Sequence, residues 1–389
     1  MINQEYLKKF GEKRYFQQLS ASEVSEEALF GTPIDIIEMK FLKELGSLNS
    51  WSSILYDLYY YSEMIQRIDF FSKYYFHSFS PKARNIASVK VVFIHGEHLF
   101  LYHPLTDRVY IYQQNYFVGL DAERDYILVI NDNRKLQKFY GDFASMLSML
   151  NTGHSLYNLD YVLERYKIRS ENIASHVFFK QPNLYVTIPV ALKIAENQEY
   201  HLSQEDIKEE EQTKYFKLRT SEQNIRGDAV IGKVLSDQIH QEIFNAFQLA
   251  ATEYPEIKLW CFVDHIADVR SGFYRGGVHS DFLCPKTKQV YKQLLQEYQD
   301  FTNLEGMNYW LFFTFEKNET NYDEIFIRIG HFAQRISVIA AQYGLAARGM
   351  KNYNDDTVKE KFSIGSNELV GYSVNLFSYQ NTGHSLMLE

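Results

Sequence analysis

Ile325-Phe-Ile-Arg-Ile-Gly330-His331-Phe-Ala-Gln334 opens a helical stretch that closes at Tyr343-Gly-Leu345. The pair Gly153-His154 precedes Tyr166 at the same spacing that separates Gly330-His331 from Tyr343. Working outward, residues 141–166 and 324–343 both carry helical periodicity, and the Gly-His pair is expected near the start of each helix. A strand-like run precedes each one: Tyr126-Ile-Leu-Val-Ile130 and Tyr309-Trp-Leu-Phe-Phe-Thr-Phe315. Another follows each: Leu184-Tyr-Val-Thr-Ile188 and Leu369-Val-Gly-Tyr-Ser-Val-Asn-Leu376. Further upstream, residues 51–71 (Trp51, Ile54, Leu55, Leu58, Ile65) and 229–251 (Val230, Val234, Ile239, Ile243, Phe247) read as amphipathic helices. Each leads into a strand, Ser88-Val-Lys-Val-Val-Phe-Ile94 or Ile257-Lys-Leu-Trp-Cys-Phe-Val263. Any one match is weak; the shared order predicts a tandem repeat of one α+β unit.

The expected boundaries are 1–45, an N-terminal helical extension with helix-start chemistry at Ser22-Glu-Val-Ser25-Glu-Glu27, then unit 1 at 46–192 and unit 2 at 193–389. Further expected elements are strands at 99–102, 108–112 and 271–274, a helix at 286–301, and a solvated linker or helix face at Glu205-Asp-Ile-Lys-Glu-Glu-Glu211.

The 389 residues include 49 acidic and 40 basic side chains, a net charge of −9. That disfavours a nucleic-acid binder, which needs a basic face for phosphate. Hydrophobic residues at 46% against 23% charged place the chain among folded proteins. Two cysteines, Cys261 and Cys284, make neither a disulfide framework nor a zinc cage, so a cytoplasmic location is expected. No apolar run approaches the roughly 20 residues that span a bilayer, and Ile336 to Ala347 reads as part of a core helix.

Phosphate-binding glycine loops and the Gly-x-Ser-x-Gly elbow are absent, which disfavours kinases and hydrolases. His95-Gly-Glu-His98 with His103 has metal-like spacing, but a hairpin turn at Gly-Glu is the simpler reading. Asn-Thr-Gly-His-Ser-Leu occurs at 151–156 and again at 381–386, and the sequence offers no physical account of it.

One stretch offers an anion site: Tyr215-Phe-Lys-Leu-Arg219-Thr-Ser221-Glu-Gln-Asn-Ile-Arg226-Gly227. Guanidinium groups grip phosphate with paired donors, and a hydroxyl adds a third hydrogen bond. Two surface arginines paired with nearby glutamates would look the same in sequence.

This segment, placed ahead of a unit with a Gly-His helix and a last strand, resembles the nitroreductase superfamily of flavin enzymes. More narrowly it is similar to the SagB-type dehydrogenases, which oxidise azolines in peptide natural-product (RiPP) biosynthesis. Arg219-Thr-Ser221 resembles the family segment that holds the FMN phosphate, and Arg226 matches its second arginine at a longer spacing. Gly349-Met350-Lys351 resembles the loop whose backbone lies against the flavin ring. Pro81-Lys82-Ala83-Arg84-Asn85 resembles a Pro-Ser-Ala-Gly stretch that reaches the cofactor from the opposite unit. The resemblance implies two nitroreductase-like units, each a mainly antiparallel sheet flanked by helices, forming a pseudo-dimer with one surviving FMN site. Unit 1 is then the degenerate one and unit 2 the phosphate-binding one.

The implied activity is FMN-dependent dehydrogenation of a peptide or peptide-like substrate. The implied partners are a cyclodehydratase or another pathway enzyme and no nucleic acid or membrane, with a homodimer left open. Departures are visible: Lys82 stands where the family has Ser, and Asn321-Tyr322 where azoline oxidisers carry Lys-Tyr. Tyr322, Lys317 or Lys351 would then serve as the base, with Tyr322 and Lys351 the two assigned, and a core phenol is an equal reading for Tyr322. An NAD(P)H-dependent nitro or quinone reductase and a flavin-free scaffold subunit are the alternatives.

Overall fold

The computed structural model describes residues 29–46, 50–69, 76–83, 86–195, 209–221, 230–275, 282–287, 293–294, 303–318, 321–380 and 385–388. They fall into two compact units, the first within 17–68, 76–210 and 387–389 and the second within 69–75 and 211–386.

In the first unit, among the described residues, a seven-stranded sheet is built from β1 (Asp35–Glu38), β2 (Val89–His95), β3 (His98–His103), β4 (Arg108–Gln113), β5 (Tyr126–Asp132), β6 (Ser170–Asn172) and β7 (Val186–Ile194). Its spatial order is β1-β4-β3-β2-β5-β7-β6, every pair antiparallel. Strand β5, YILVIND, is buried at six consecutive positions because it lies mid-sheet with both faces covered. Helices α1 (Ser50–Ser62) and α3 (Ala144–Arg165) pack against one another, while α2 (Asn133–Tyr140) lies between β5 and α3 in sequence. Asp57 fastens the helix pair: Arg165 donates to it at 3.2 Å and the Tyr166 hydroxyl at 2.9 Å.

In the second unit, β8 (Lys258–Val263), β9 (Gly272–Arg275), β10 (Phe282–Pro285), β11 (Met307–Glu316), β12 (Leu345–Met350) and β13 (Glu368–Ser378) form a sheet of order β10-β9-β8-β11-β13-β12, again antiparallel throughout. Without its edge strand β1, the first sheet has the same order, with β2 matched to β8, β5 to β11 and β7 to β13. The tandem repeat is therefore present in the topology.

Both faces of β11 are covered by different layers. Tyr309, Phe313 and Phe315 meet rings of α5 (Asp237–Ala251) and α6 (Tyr322–Gln342). Trp310 and Phe312 turn the other way, onto Tyr353 and onto Phe362 of α7 (Asp355–Phe362). Asn side chains start α6 and α7: Asn321 accepts from Glu324 N at 3.2 Å and Asn354 from Thr357 N at 3.0 Å. Gly344, at φ +70°, reverses the chain between α6 and β12.

Several expectations are corrected. Within the expected helical extension, residues 35–38 form a sheet edge against Arg108–Gln113 and a helix follows at Met39–Gly46, while Ser22–Glu27 lies outside the described residues. Strand β7 runs to Ile194, past the expected boundary at 192/193. The Gly-His pairs sit mid-helix in α3 and α6, not near their starts, although both helices do end with a tyrosine C-cap, Tyr166 and Tyr343. Helix α1 ends at Ser62, well short of residue 71, and the helix before β8 begins only at Asp237. Most of 286–301 and of 205–211 lies outside the described residues. His95-Gly-Glu-His98 is a hairpin: β2 and β3 pair His95 with His98 around Gly96 at φ +55°.

Candidate functional site

In the second unit, helix α4 (Glu209–Leu218) delivers Arg219, Thr220 and Ser221 to the open edge of the sheet. The Ala347 amide donates to the Thr220 carbonyl at 2.8 Å. Strand alternation then turns the Gly349 N–H, two residues along, toward the same edge. Stretches about 130 residues apart in sequence (Thr220 to Gly349) are thus brought to one strand edge.

Arg219 is 7% exposed, so its guanidinium is largely withdrawn from water. Ser221 is half-buried beside it in sequence. Arg348, between Ala347 and Gly349, is a further cation; burial pushes its guanidinium down to about 10, with Tyr372 working against the shift. It remains charged at neutral pH. The sequence reading passed over Arg348, whose signal was an arginine between Ala-Ala and Gly-Met in an apolar run.

Gly349 and Met350 lie in strand β12, where the sequence suggested a loop. A Cβ at Gly349 would meet the Tyr372 hydroxyl at 2.0 Å, so glycine is required there by a close approach. The Met350 side chain packs into the core and its backbone faces β13, so Gly349 is the residue whose backbone meets the edge. The Met350 backbone is fixed by a relay: Trp310 Nε1 donates to Ser373 Oγ at 2.9 Å, and Ser373 Oγ donates to Met350 O at 3.1 Å. Arg226 lies outside the described residues.

The two expected bases are both engaged in the fold. Lys351 Nζ donates to both Asp355 carboxylate oxygens, at 2.7 and 2.8 Å, and to Val370 O at 2.7 Å. Three donors on three acceptors make it a buried structural cation. The Tyr322 hydroxyl donates to Lys317 O at 2.5 Å and its ring packs on Phe315, closing the turn between β11 and α6.

Pro81, Lys82 and Ala83 belong to the first unit; Arg84 and Asn85 lie outside the described residues. This segment is pinned to a buried polar stripe on α3. Asn158 Nδ2 donates to Ser80 Oγ at 2.9 Å and to Tyr61 O at 2.7 Å. Asn151 accepts from Ala83 N at 3.4 Å and donates to Ser88 Oγ at 3.3 Å, while Thr152 donates to Asn131 at 2.7 Å. These bonds give Asn151 and Thr152 of the first Asn-Thr-Gly-His-Ser-Leu copy a structural role. Most of the second lies outside the described residues.

Lys82 is thereby set in the wall of a cavity of about 1200 Å³ in the first unit, with Glu63 and Lys90. Burial pushes the Lys82 amine down to about 8; Glu63 opposes the shift and Lys90 adds to it. Burial raises the Glu63 carboxyl above its usual range, against the pull of Lys90, Lys82 and the Val91 N–H.

Among the described residues, no group of three or more His, Cys, Asp or Glu side chains could hold a metal, and no helix is long and apolar enough to cross a membrane.

No protein-family model matches the chain, and no curated protein matches it. Solved structures do. A protein described as a putative nitroreductase from Anabaena variabilis aligns over 97% of both chains with a TM-score of 0.70 at 14% identity. A microcin synthetase complex from E. coli, McbBCD with truncated pro-MccB17, aligns over 40% of this chain and 70% of its own at TM-score 0.32 and 10% identity. An oxidoreductase containing FMN aligns over 48% of this chain and 81% of its own at TM-score 0.30 and 14% identity. The first alignment, spanning nearly the whole chain, shows that the two tandem units have the nitroreductase fold.

Proposed function

We propose that this protein is an FMN-dependent oxidoreductase that oxidises a peptide or peptide-like substrate by two electrons. The observation that supports the reading is the Ala347–Thr220 hydrogen bond, which sets Arg219 and Ser221 beside the Gly349 edge in a chain of nitroreductase fold. The donor set suits a flavin nucleotide: a buried guanidinium and a neighbouring hydroxyl for the phosphate, and an outward backbone amide for the ring.

In this reading Arg219 and Ser221 take the phosphate, and the Gly349 backbone takes the edge of the ring, with Met350 held behind it by Ser373. Arg226 of the same segment completes the phosphate assignment. Bound flavin would supply the hydride acceptor. Lys351 and Tyr322 hold the frame, with Lys351 fixing the end of β12 against Val370 and Tyr322 fixing the start of α6. A cyclodehydratase or similar enzyme would supply an azoline-containing peptide.

The test is a flavin titration of the full chain, followed by anaerobic addition of an azoline-containing peptide. Saturable FMN uptake and peptide-dependent bleaching of the flavin absorbance are expected. Bleaching by NADH alone would point to a reductase. A colourless protein that takes up no FMN would leave a scaffold subunit.

A further inference from the structure

The cavity of the first unit contains a charge arrangement that the flavin reading does not use. Glu63, at the C-terminal end of α1, is 2% exposed. Its Oε1 accepts from Val91 N at 2.5 Å, whereas Oε2 is buried without a hydrogen-bond partner among the described residues. Lys90 Nζ, at 3.9 Å, is too far from Oε2 for a hydrogen bond. Lys82 and Lys90 both line the same cavity. One carboxylate therefore faces two ammonium groups and keeps an open acceptor.

A buried group in this condition calls for a donor, and the excess positive charge calls for an anion. The same molecule can provide both only if an N–H or O–H lies beside an anionic group. A phosphate fits poorly, because its double charge would lie against the Glu63 carboxylate. The rest of the wall is mostly apolar and aromatic, including Leu101, Tyr110 and Tyr112, and its other charged groups are the Asp132–Arg134 ion pair and Lys135, which leave the excess positive. The volume of about 1200 Å³ exceeds the usual range for sites of drug-sized ligands, roughly 300–1,000 Å³. It is far larger than one amino acid needs.

We infer that this cavity binds the carboxyl terminus of a short apolar peptide. The terminal carboxylate lies on Lys82 and Lys90, the amide N–H of the last residue donates to Glu63 Oε2, and apolar side chains fill the rest. The inference is independent of flavin.

The experiment is calorimetric titration of the full chain with acetyl-Leu-Phe, with acetyl-Leu-Phe amide, and with acetyl-Leu-N-methyl-Phe, which lacks the terminal amide N–H. The free acid is expected to bind one to one, and both analogues at least tenfold more weakly. Lys82→Met should weaken the acid tenfold or more and leave the amide unchanged, which separates charge recognition from misfolding. Glu63→Leu should abolish the preference for the N–H peptide over its N-methyl form. No saturable heat with the acid, equal affinity for acid and amide, or equal loss for both in Lys82→Met would overturn the inference. So would free L-phenylalanine binding as tightly as the peptide.

Discussion

The Ala347 amide donates to the Thr220 carbonyl at 2.8 Å and so extends the open edge of the second sheet with the Arg219 segment. Because that N–H faces away from β13, proline is tolerable at this position as it would not be inside the ladder. Ala347→Pro is expected to leave the far-ultraviolet circular dichroism unchanged and to lower stability by about 1–2 kcal/mol. Ala346→Pro, one residue earlier, removes a ladder donor and should cost about 3 kcal/mol. Urea denaturation of both variants measures the difference, and equal losses would mean the Thr220 bond does not set the edge.

Lys351 and Asp355 form a buried pair across the four-residue step from the end of β12 to the start of α7, shared with Val370 O. Lys351→Met strands the Asp355 carboxylate and should destabilise by about 3 kcal/mol. Adding Asp355→Leu should restore at least half of that. A double-mutant cycle by denaturant unfolding gives the coupling, and additive losses would contradict the pairing.

Burial pushes the Lys82 amine down to about 8 in the fold, from the ordinary lysine value near 10.5. Between those pH values the unfolded chain holds a proton that the folded chain lacks, so the lysine's destabilising effect shrinks as pH rises through that window. Below pH 8 the effect is fully present. Lys82→Met should therefore be more stable than the parent by roughly 1–3 kcal/mol at pH 7. The gap should narrow toward pH 10.5, as unfolding midpoints measured across that range would show; a constant gap would place the amine in ordinary solvent.

Asn158 reaches from α3 to both Ser80 and the Tyr61 carbonyl. Asn158→Ala leaves a buried carbonyl without its donor and is expected to cost about 1–3 kcal/mol. The same change should speed hydrogen exchange at 78–83 more than elsewhere in the first unit. Uniform acceleration would show that the asparagine does not anchor this segment in particular.

The repeat was legible because its central strands, 126–132 and 307–316, are buried on both faces and so read as continuous apolar runs. The tyrosine that ends each long helix added a second register mark. Strand β12 was not legible: Leu-Ala-Ala-Arg-Gly-Met neither alternates nor carries β-branched residues, and its position is decided by β13 and Thr220, distant in sequence. Strand β1 was missed because Asp-Ile-Ile-Glu is short and half exposed, with its pairing supplied by residues 108–111. The engagement of Lys351 and Tyr322 was equally hidden. Their partners Val370 and Lys317 accept through backbone carbonyls, which every residue has. Glu63 and Lys82 meet across a cavity with no sequence spacing to announce them.

FMN affinity of the parent chain beside Arg219→Ala, followed by fluorescence quenching, probes the central reading most directly. The account predicts saturable binding by the parent, a loss of roughly 10- to 100-fold in the variant, as expected for one charge-assisted contact of about 1.5–3 kcal/mol, and an unchanged circular dichroism spectrum. Equal affinity in the two proteins would place the phosphate elsewhere and contradict the assignment.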